Sequence, residues 1–372
     1  MVESRWFRRA GPGIAAIGAV ALVASSTLGA SNRAWDPPAC AGAPHAGPGA
    51  AGTWYHLDPT LSDGALTGQR LSLGGTTKAP RRFLDLDPES FAAGPFDGTV
   101  LVGRDDGRAS RLSLVDVADG CAWLLGASTD VVRGATVSPD RTTIYEHHVD
   151  RSTRADLGVW RRALDGSTAA SRVIAPIATD ERFGATWRTS LSWSADARLL
   201  AVTSCGEVAC RFRLFDPTDA TVRTVADPEL GDLLGVGDGR LVAYGACRGL
   251  PCPLFSIDVD GSGERATLAD EAGTAVLTSD PAGRPIVVHE QDVDGHRLRE
   301  MRTDGGEPRD LDGLVDGRRL VAGPSRTDSA ADVPDGWLLF GPDGRLAVDG
   351  QLQAILRHIP DGTAVPLDEV AR

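Results

Sequence analysis

The sequence predicts an all-β protein built as a β-propeller, and three observations carry that prediction. Beyond residue 50 no stretch keeps a helical period, while short apolar runs alternate with Gly and Asp clusters, the pattern of strands and turns. Asp-Gly occurs 15 times, and this dipeptide suits tight hairpins because both central positions of a type I′ turn need positive φ. Finally, "TSCGEVACRF" at 203–212 and "YGACRGLPCP" at 244–253 carry matching cysteine pairs at an offset of 42 residues. A period of roughly 40–50 residues with four short strands per unit is that of propeller blades.

Aligned on the cysteines, "ADARLLAVTSCGEVACRFRLFDPTD" lies over "GDGRLVAYGACRGLPCPLFSIDVDG". One unit thus holds a strand, a cysteine-bearing hairpin, a second strand and an acidic turn. The same order recurs without cysteines in "DGTVLVGRDD", "DRTTIYEHHVD" and "GRPIVVHEQDV", each followed by a second short strand. The closing turn falls near Gly75, Gly120, Gly166, Ala220, Gly261 and Gly305, with a last one at Gly344 or Gly362. Seven turns predict seven four-stranded blades, with six as the alternative, because the C-terminal stretch divides in two ways. The first unit, Thr53 to Asp87, shows only three strands. A strand from the C-terminal stretch is therefore expected to complete it, closing the ring with strands from both termini and removing exposed edges.

The units resemble the TolB-type, WD-like propeller repeats of bacterial envelope proteins, whose first hairpin reads aromatic-Ser-Pro-Asp-Gly before an apolar strand. The matching residues are Ser138, Pro139 and Asp140 in "VSPDRTTIY", and Trp193, Ser194 and Asp196 in "LSWSADARLLAV". Arg141 and Ala197 stand where that motif usually has glycine. The rhythm spans about residues 52–367 and implies a fold, since such repeats serve unrelated functions. No room exists for the N-terminal α/β domain of TolB itself, so a Tol-system role does not carry over.

The N-terminus places Arg5, Arg8 and Arg9 before an apolar run that passes into small residues ending near Ala30. Residues 1–30 are thus a secretory signal peptide or a retained membrane anchor, residues 31–51 a Pro/Ala/Gly-rich tether, and residues 52–372 the propeller. Both alternatives put the propeller outside the cytoplasm, because arginines stay on the cytoplasmic side. In that oxidising setting the six cysteines are expected to form disulfides. The repeat pairs Cys205 with Cys210 and Cys247 with Cys252, and leaves Cys40 for Cys121. A four-thiolate metal site is the rival disfavoured by the compartment. The formal charge of −13 excludes the phosphate-neutralising surface that nucleic acid needs.

No Gly-x-Ser-x-Gly elbow, P-loop or dinucleotide fingerprint occurs, so those catalytic classes find no support. "DVDGSGE" at 258–264 resembles the start of a calcium loop, but it occupies a turn where the repeat expects Asp-Gly. Acidic pairs such as Asp105/Asp106 and Glu290/Asp292 carry little signal among 51 acids. Trp54, Trp123, Trp160, Trp193 and Trp337 fall at strand positions and read as core. His147 and His148 are assigned to a solvated loop; on a strand they would point to opposite faces. No cofactor or metal is expected.

Irregular spacing is more telling. Gly166 to Ala220 spans 54 residues against 41 to 46 for the neighbouring intervals, the excess lying around "APIATDERFGATWRTS" at 175–190. A second insertion, "PSRTDSAADVPD" at 324–335, separates two later strands. Loops between second and third strands share one face of a propeller with the blade-to-blade connections. The insertions and cysteine hairpins should therefore gather on that face, where function usually sits. The candidate partner-binding residues there are His147, His148, Arg182, Trp187, Glu207, Arg248, Arg326 and Asp328. The sequence thus points to a non-enzymatic binding or assembly module facing an envelope protein or glycan, with membrane contact only through the N-terminal segment. The alternative is a hydrolase or lyase working at the central channel.

Overall fold

In the computed structural model the described residues are 36–44 and most of 53–366; residues 1–35, 45–52, 63–64, 76–81, 179–184, 207–209, 226–229, 247–250, 260–263, 280–284, 292–296, 311–318, 321–328, 332–336, 341–354, 359–363, 367–372 and the single residues 97, 187, 195 and 274 lie outside them. All described regular structure is β, in 28 strands. The first sheet holds β1 (Thr53–Ser62), β2 (Ala65–Gly75) and β3 (Arg82–Leu86). The second holds β4 (Phe91–Phe96), β5 (Thr99–Asp105), β6 (Ser110–Asp116) and β7 (Cys121–Ser128); the third holds β8 (Val131–Val137), β9 (Thr143–Val149), β10 (Asp156–Ala163) and β11 (Ser171–Ile174). The fourth comprises β12 (Arg188–Trp193), β13 (Leu200–Cys205), β14 (Cys210–Asp216) and β15 (Thr221–Val225). The fifth comprises β16 (Leu230–Gly237), β17 (Arg240–Gly245), β18 (Cys252–Asp258) and β19 (Arg265–Ala272). A sixth is made of β20 (Ala275–Ser279), β21 (Pro285–Gln291), β22 (Arg297–Arg302), β23 (Arg309–Asp310) and β24 (Arg319–Leu320). Then come β25 (Ser329–Ala331), β26 (Trp337–Phe340), β27 (Ile355–His358) and β28 (Ala364–Pro366), the last three forming a sheet of their own.

The second to fifth sheets are four-stranded antiparallel meanders in chain order, the arrangement of propeller blades. The first sheet gains its fourth strand from β25, which pairs antiparallel with β1, Trp54 opposite Ala331 and His56 opposite Ser329. Strand β25 falls inside 324–335, expected as a loop insertion, and not in the stretch after it, because the short run Ser329–Ala331 finds the free edge of β1. Among the described residues, each of the five seams between the first six sheets holds its own apolar cluster. Leu71, Leu73 and Leu84 meet Val100 and Val102 in the first seam, and Tyr145 and Val159 meet Leu200, Val202 and Phe215 in the third. Strand β5 shows why the sequence reads as continuous apolar runs. Val100 and Val102 face the first sheet while Leu101 packs toward the third, so both faces of the pleat are covered.

The repeated hairpin motif has one physical basis in two sheets. Ser138 Oγ donates to Asp140 Oδ1 at 2.5 Å and Ser138 N donates to Thr143 O at 2.8 Å. Ser194 repeats this with Asp196 Oδ1 at 2.5 Å and Leu199 O at 2.8 Å. Arg141 and Ala197, at the usual glycine position, both take the left-handed conformation at φ 59° and 60°. The turn geometry thus persists although each L side chain pays for a conformation that glycine adopts freely.

Two of the expected disulfides are present, Cys40–Cys121 and Cys205–Cys210. The first is accompanied by the bridge of Ala39 to Ala122, which fastens residues 38–40 to the outer strand of the second sheet. Cys252 is also disulfide-bonded, and Cys247 lies outside the described residues. Non-reducing peptide mapping is expected to recover Cys247 joined to Cys252, and a Cys252 linkage to any other cysteine would refute the repeat-based pairing. Replacing Cys205 and Cys210 by serine should lower stability by no more than about 2 kcal/mol, because the closed loop is short.

Candidate functional site

The six residues of the β9–β10 loop, 150–155, organise one face of the molecule. Asp150 Oδ1 accepts from the backbone N–H groups of Ser152 at 3.0 Å and Thr153 at 2.7 Å, so the loop is fixed from within by a short carboxylate side chain. Its two arginines then reach outward. Arg151 forms two parallel bonds to Asp105, each 2.8 Å, and donates from Nε to Thr129 O at 3.0 Å. Arg154 grips Glu89 with bonds of 3.2 and 2.9 Å, and its carbonyl accepts from Thr186 N at 2.8 Å. Glu89 is shared with Arg133 of β8. The loop therefore ties together the connections β3–β4, β7–β8 and β11–β12 and the end of β5. This bears out the expectation that second-to-third-strand loops and blade-to-blade connections share a face.

Electrostatics favour the ionised forms. Burial tends to raise the Asp105 carboxyl, but hydrogen bonds from Arg151, Ser110 and Gly107 outweigh it and hold it at about 2. Such forked arginine–carboxylate pairs fix geometry as well as charge. Asp105 and Asp106 are thus structural. Asp106 accepts from the backbone of Arg108 and Ala109 within its own turn, and neither faces the other across a cleft. In the same way Asp258 closes the β18–β19 turn, donating its N–H to Glu264 O at 3.0 Å.

His147 and His148 are not in a loop. Both lie on β9 and are buried, at 0% and 7% exposure. The polar run "EHHVD" continues the strand because its partners are supplied from elsewhere. The two side chains take opposite faces, as an extended strand requires. His147 enters the seam with the fourth sheet, its Nε2 3.1 Å from Asp156 Oδ2. Arg213 closes the group by donating from Nη2 to Asp156 Oδ2 at 3.0 Å and to Ser204 Oγ at 3.1 Å, and from Nη1 to Ala175 O at 2.7 Å. Burial, the largest influence, pushes the His147 imidazole below its ordinary value of 6.5, with Asp156 pulling the other way.

His148 enters the opposite seam, toward the second sheet. Its Nε2 lies 3.1 Å from Glu146 Oε2, and Arg162 Nε donates to Glu146 Oε1 at 2.5 Å. Burial raises the Glu146 carboxyl, yet the hydrogen bond to His148 and the charge of Arg162 leave it below the ordinary carboxylate range. Trp160 packs against His148 with ring centroids 5.8 Å apart. Of the residues assigned to the binding face, Arg182, Trp187, Glu207, Arg248, Arg326 and Asp328 lie outside the described residues. The residues that organise the described part of that face, Arg151, Arg154, Glu89 and Arg133, carry no sequence motif. The only signal for Arg151 and Arg154 is the polar run "HHVDRSTRAD" between two predicted strands, and Glu89 and Arg133 lie outside it.

Several solved structures are similar to this chain at low identity. The chain is similar to TolB from Acinetobacter baumannii, with a TM-score of 0.45, 13% identity, and coverage of 77% of this chain and 68% of that one. It is similar to oligogalacturonate lyase from Vibrio parahaemolyticus, with a TM-score of 0.48, 11% identity and coverage of 85% and 86%. Against oligopeptidase B from Leishmania major the TM-score is 0.44 at 11% identity, with 82% of this chain matching 53% of that one. No protein-family model and no curated protein matches the chain. The propeller class rests on the succession of four-stranded sheets and their seam cores, and the likenesses accompany it without assigning an activity.

Proposed function

We propose that this protein is a non-enzymatic binding or assembly module of the cell envelope, working outside the cytoplasm through the face organised by the 150–155 loop. Residues 1–30 serve as signal peptide or anchor and residues 31–51 as the tether. The two disulfides suit that compartment. The observation that carries the reading is the loop clamp itself. Arg151 and Arg154 hold an exposed tip, Ser152 and Thr153, in one conformation against three connections, and preorganised loops lose little entropy on binding. The histidines, which an enzyme could have used, are committed to buried pairs within the sheet seams.

A photo-crosslinking residue at exposed Ser152, compared with one at Val222 (40% exposed) on outer strand β15, tests this on intact envelopes. Discrete adducts from Ser152 and none from Val222 are expected. Equal or absent adducts would overturn the assignment of the face. The alternative, an enzyme at the central channel, would be supported instead by turnover in a substrate screen that disappears on replacing one carboxylate lining that channel.

A further inference from the structure

Each sheet of a propeller ends in an outer strand with an open edge, and such edges pair with other chains unless something prevents it. In five of the first six sheets the outer strand carries charge: Asp85 in β3, Arg172 in β11, Arg223 in β15, Asp270 in β19 and Arg309 in β23. Strand β7, "CAWLLGAS", is the exception. It holds no charged residue and no proline, and its Leu124 is 67% exposed, more than any other large hydrophobic among the described residues.

That edge is also the one the N-terminal segment crosses. Ala122 donates its N–H to Pro38 O at 2.8 Å and accepts from Cys40 N at 3.0 Å, so residues 38–40 run along β7 as a short parallel strap. The strap carries Pro37 and Pro38, which have no N–H to offer a further strand. An edge that can pair is thereby replaced by one that pairs poorly. The far half of β7 is guarded differently: its register with β6 is broken by a bulge past Leu124, and Arg162 Nη1 donates to Leu125 O. The stretch Cys121–Leu124 is left to the strap.

Non-covalent contacts alone do not hold the strap in place. Besides the two backbone bonds it makes one ion pair, Asp36 with Arg104 at 3.5 Å, in which the Asp36 side chain is 92% exposed. Ordering residues 36–44 costs more chain entropy than these return. The Cys40–Cys121 disulfide makes up the difference, joining the strap to the first residue of the strand it covers. We propose that the strap is an edge guard: its disulfide keeps β7 closed against a second copy of this chain, and a chain without the disulfide self-associates by antiparallel pairing of β7 with β7. The edge itself selects this occupant. A strand without charge meets no repulsion from an identical strand, and antiparallel pairing with its own copy closes on a two-fold axis.

Sedimentation velocity on the full chain tests this. Relative to the parent, the variant with Cys40→Ser and Cys121→Ser should show an apparent mass that rises with concentration toward about twofold, the limit of a closed two-fold pair. Adding Leu124→Lys, which puts a charge on the freed edge, should return that variant to the parent's mass. Cys205→Ser with Cys210→Ser, which opens the hairpin disulfide, should leave the mass unchanged. In hydrogen exchange the Ala122 amide should open about tenfold faster without the strap, the effect of one lost hydrogen bond. Phosphine reduction of the folded parent supplies the same readouts if the Cys40/Cys121 variant does not fold. An unchanged mass, association that Leu124→Lys leaves in place, or equal association in the Cys205/Cys210 variant would each overturn the assignment. The guard does not rest on the 150–155 loop, so crosslinking at Ser152 can fail while it stands, and the reverse.

Discussion

Replacing Arg213 with methionine is expected to destabilise the protein by about 3–5 kcal/mol, the usual result of removing one partner from a buried ion pair. Asp156 has no exposed side-chain surface and Arg213 only 4%. Apart from Arg213, the carboxylate keeps only His147 Nε2 at 3.1 Å and the Gly158 N–H at 2.5 Å. Burial alone would raise the Asp156 carboxyl, and His147, Arg213 and Gly158 together hold it below its ordinary value. Without Arg213 the charge stays buried with one full counter-charge fewer, and Ser204 Oγ and Ala175 O lose their donor too. Methionine occupies a similar volume, so the loss is electrostatic rather than a cavity. Urea titration should show a lower midpoint at unchanged slope. The double variant Asp156→Leu, Arg213→Met should recover much of the loss, since a pair replaced by apolar side chains avoids the desolvation of both charges. A change below about 1 kcal/mol in Arg213→Met would mean the pair does not hold this seam.

The same group marks the boundary of what the sequence makes legible. Strands and turns follow from local signals: alternation sets the faces of β5, and Ser138 and Asp140 fix their hairpin with contacts two to five residues apart. The cysteine pairing across one hairpin is equally local. His147 is different, because its environment comes from Asp156, 9 residues away, and Arg213, 66 away. Four polar or titratable residues in "EHHVD" resemble a loop until those partners are known. Trp160 fails for the opposite reason. Its strand position suggests core, but the facing β7 ends in small residues, so the indole lines an opening instead of filling a seam. Hairpin chemistry is written within a dozen residues, whereas the polar seams between sheets are written in pairs of positions from different repeats.

Acid should weaken this protein in two stages, and the order follows from which groups are shifted. Burial, partly offset by Asp156, puts the folded His147 below its ordinary value of 6.5. The unfolded chain then binds more protons than the folded one as pH falls below 6.5, so the stability gained from a neutral buried imidazole is complete above that value and declines beneath it. The carboxylates come next. Glu146 lies below its ordinary 4.5 and Asp156 below 3.8, while Asp105 is held at about 2. Each contributes stability that is present above its unfolded value and is lost as pH falls through its folded one. The slope should thus be near zero from about pH 8 to about pH 6.5, then approach about 1.4 kcal/mol per pH unit for one proton, and steepen below about pH 4.5 as several carboxylates join. Urea midpoints measured across that range provide the check. His147→Asn, which can still offer an N–H toward Asp156 but cannot take up a proton, should remove the first stage and keep the second. Stability that stays level or rises from about pH 6.5 to about pH 5 in the unaltered protein would show that His147 is charged in the fold. The seam between the third and fourth sheets would then be held by a cationic pair of imidazolium and guanidinium around one carboxylate.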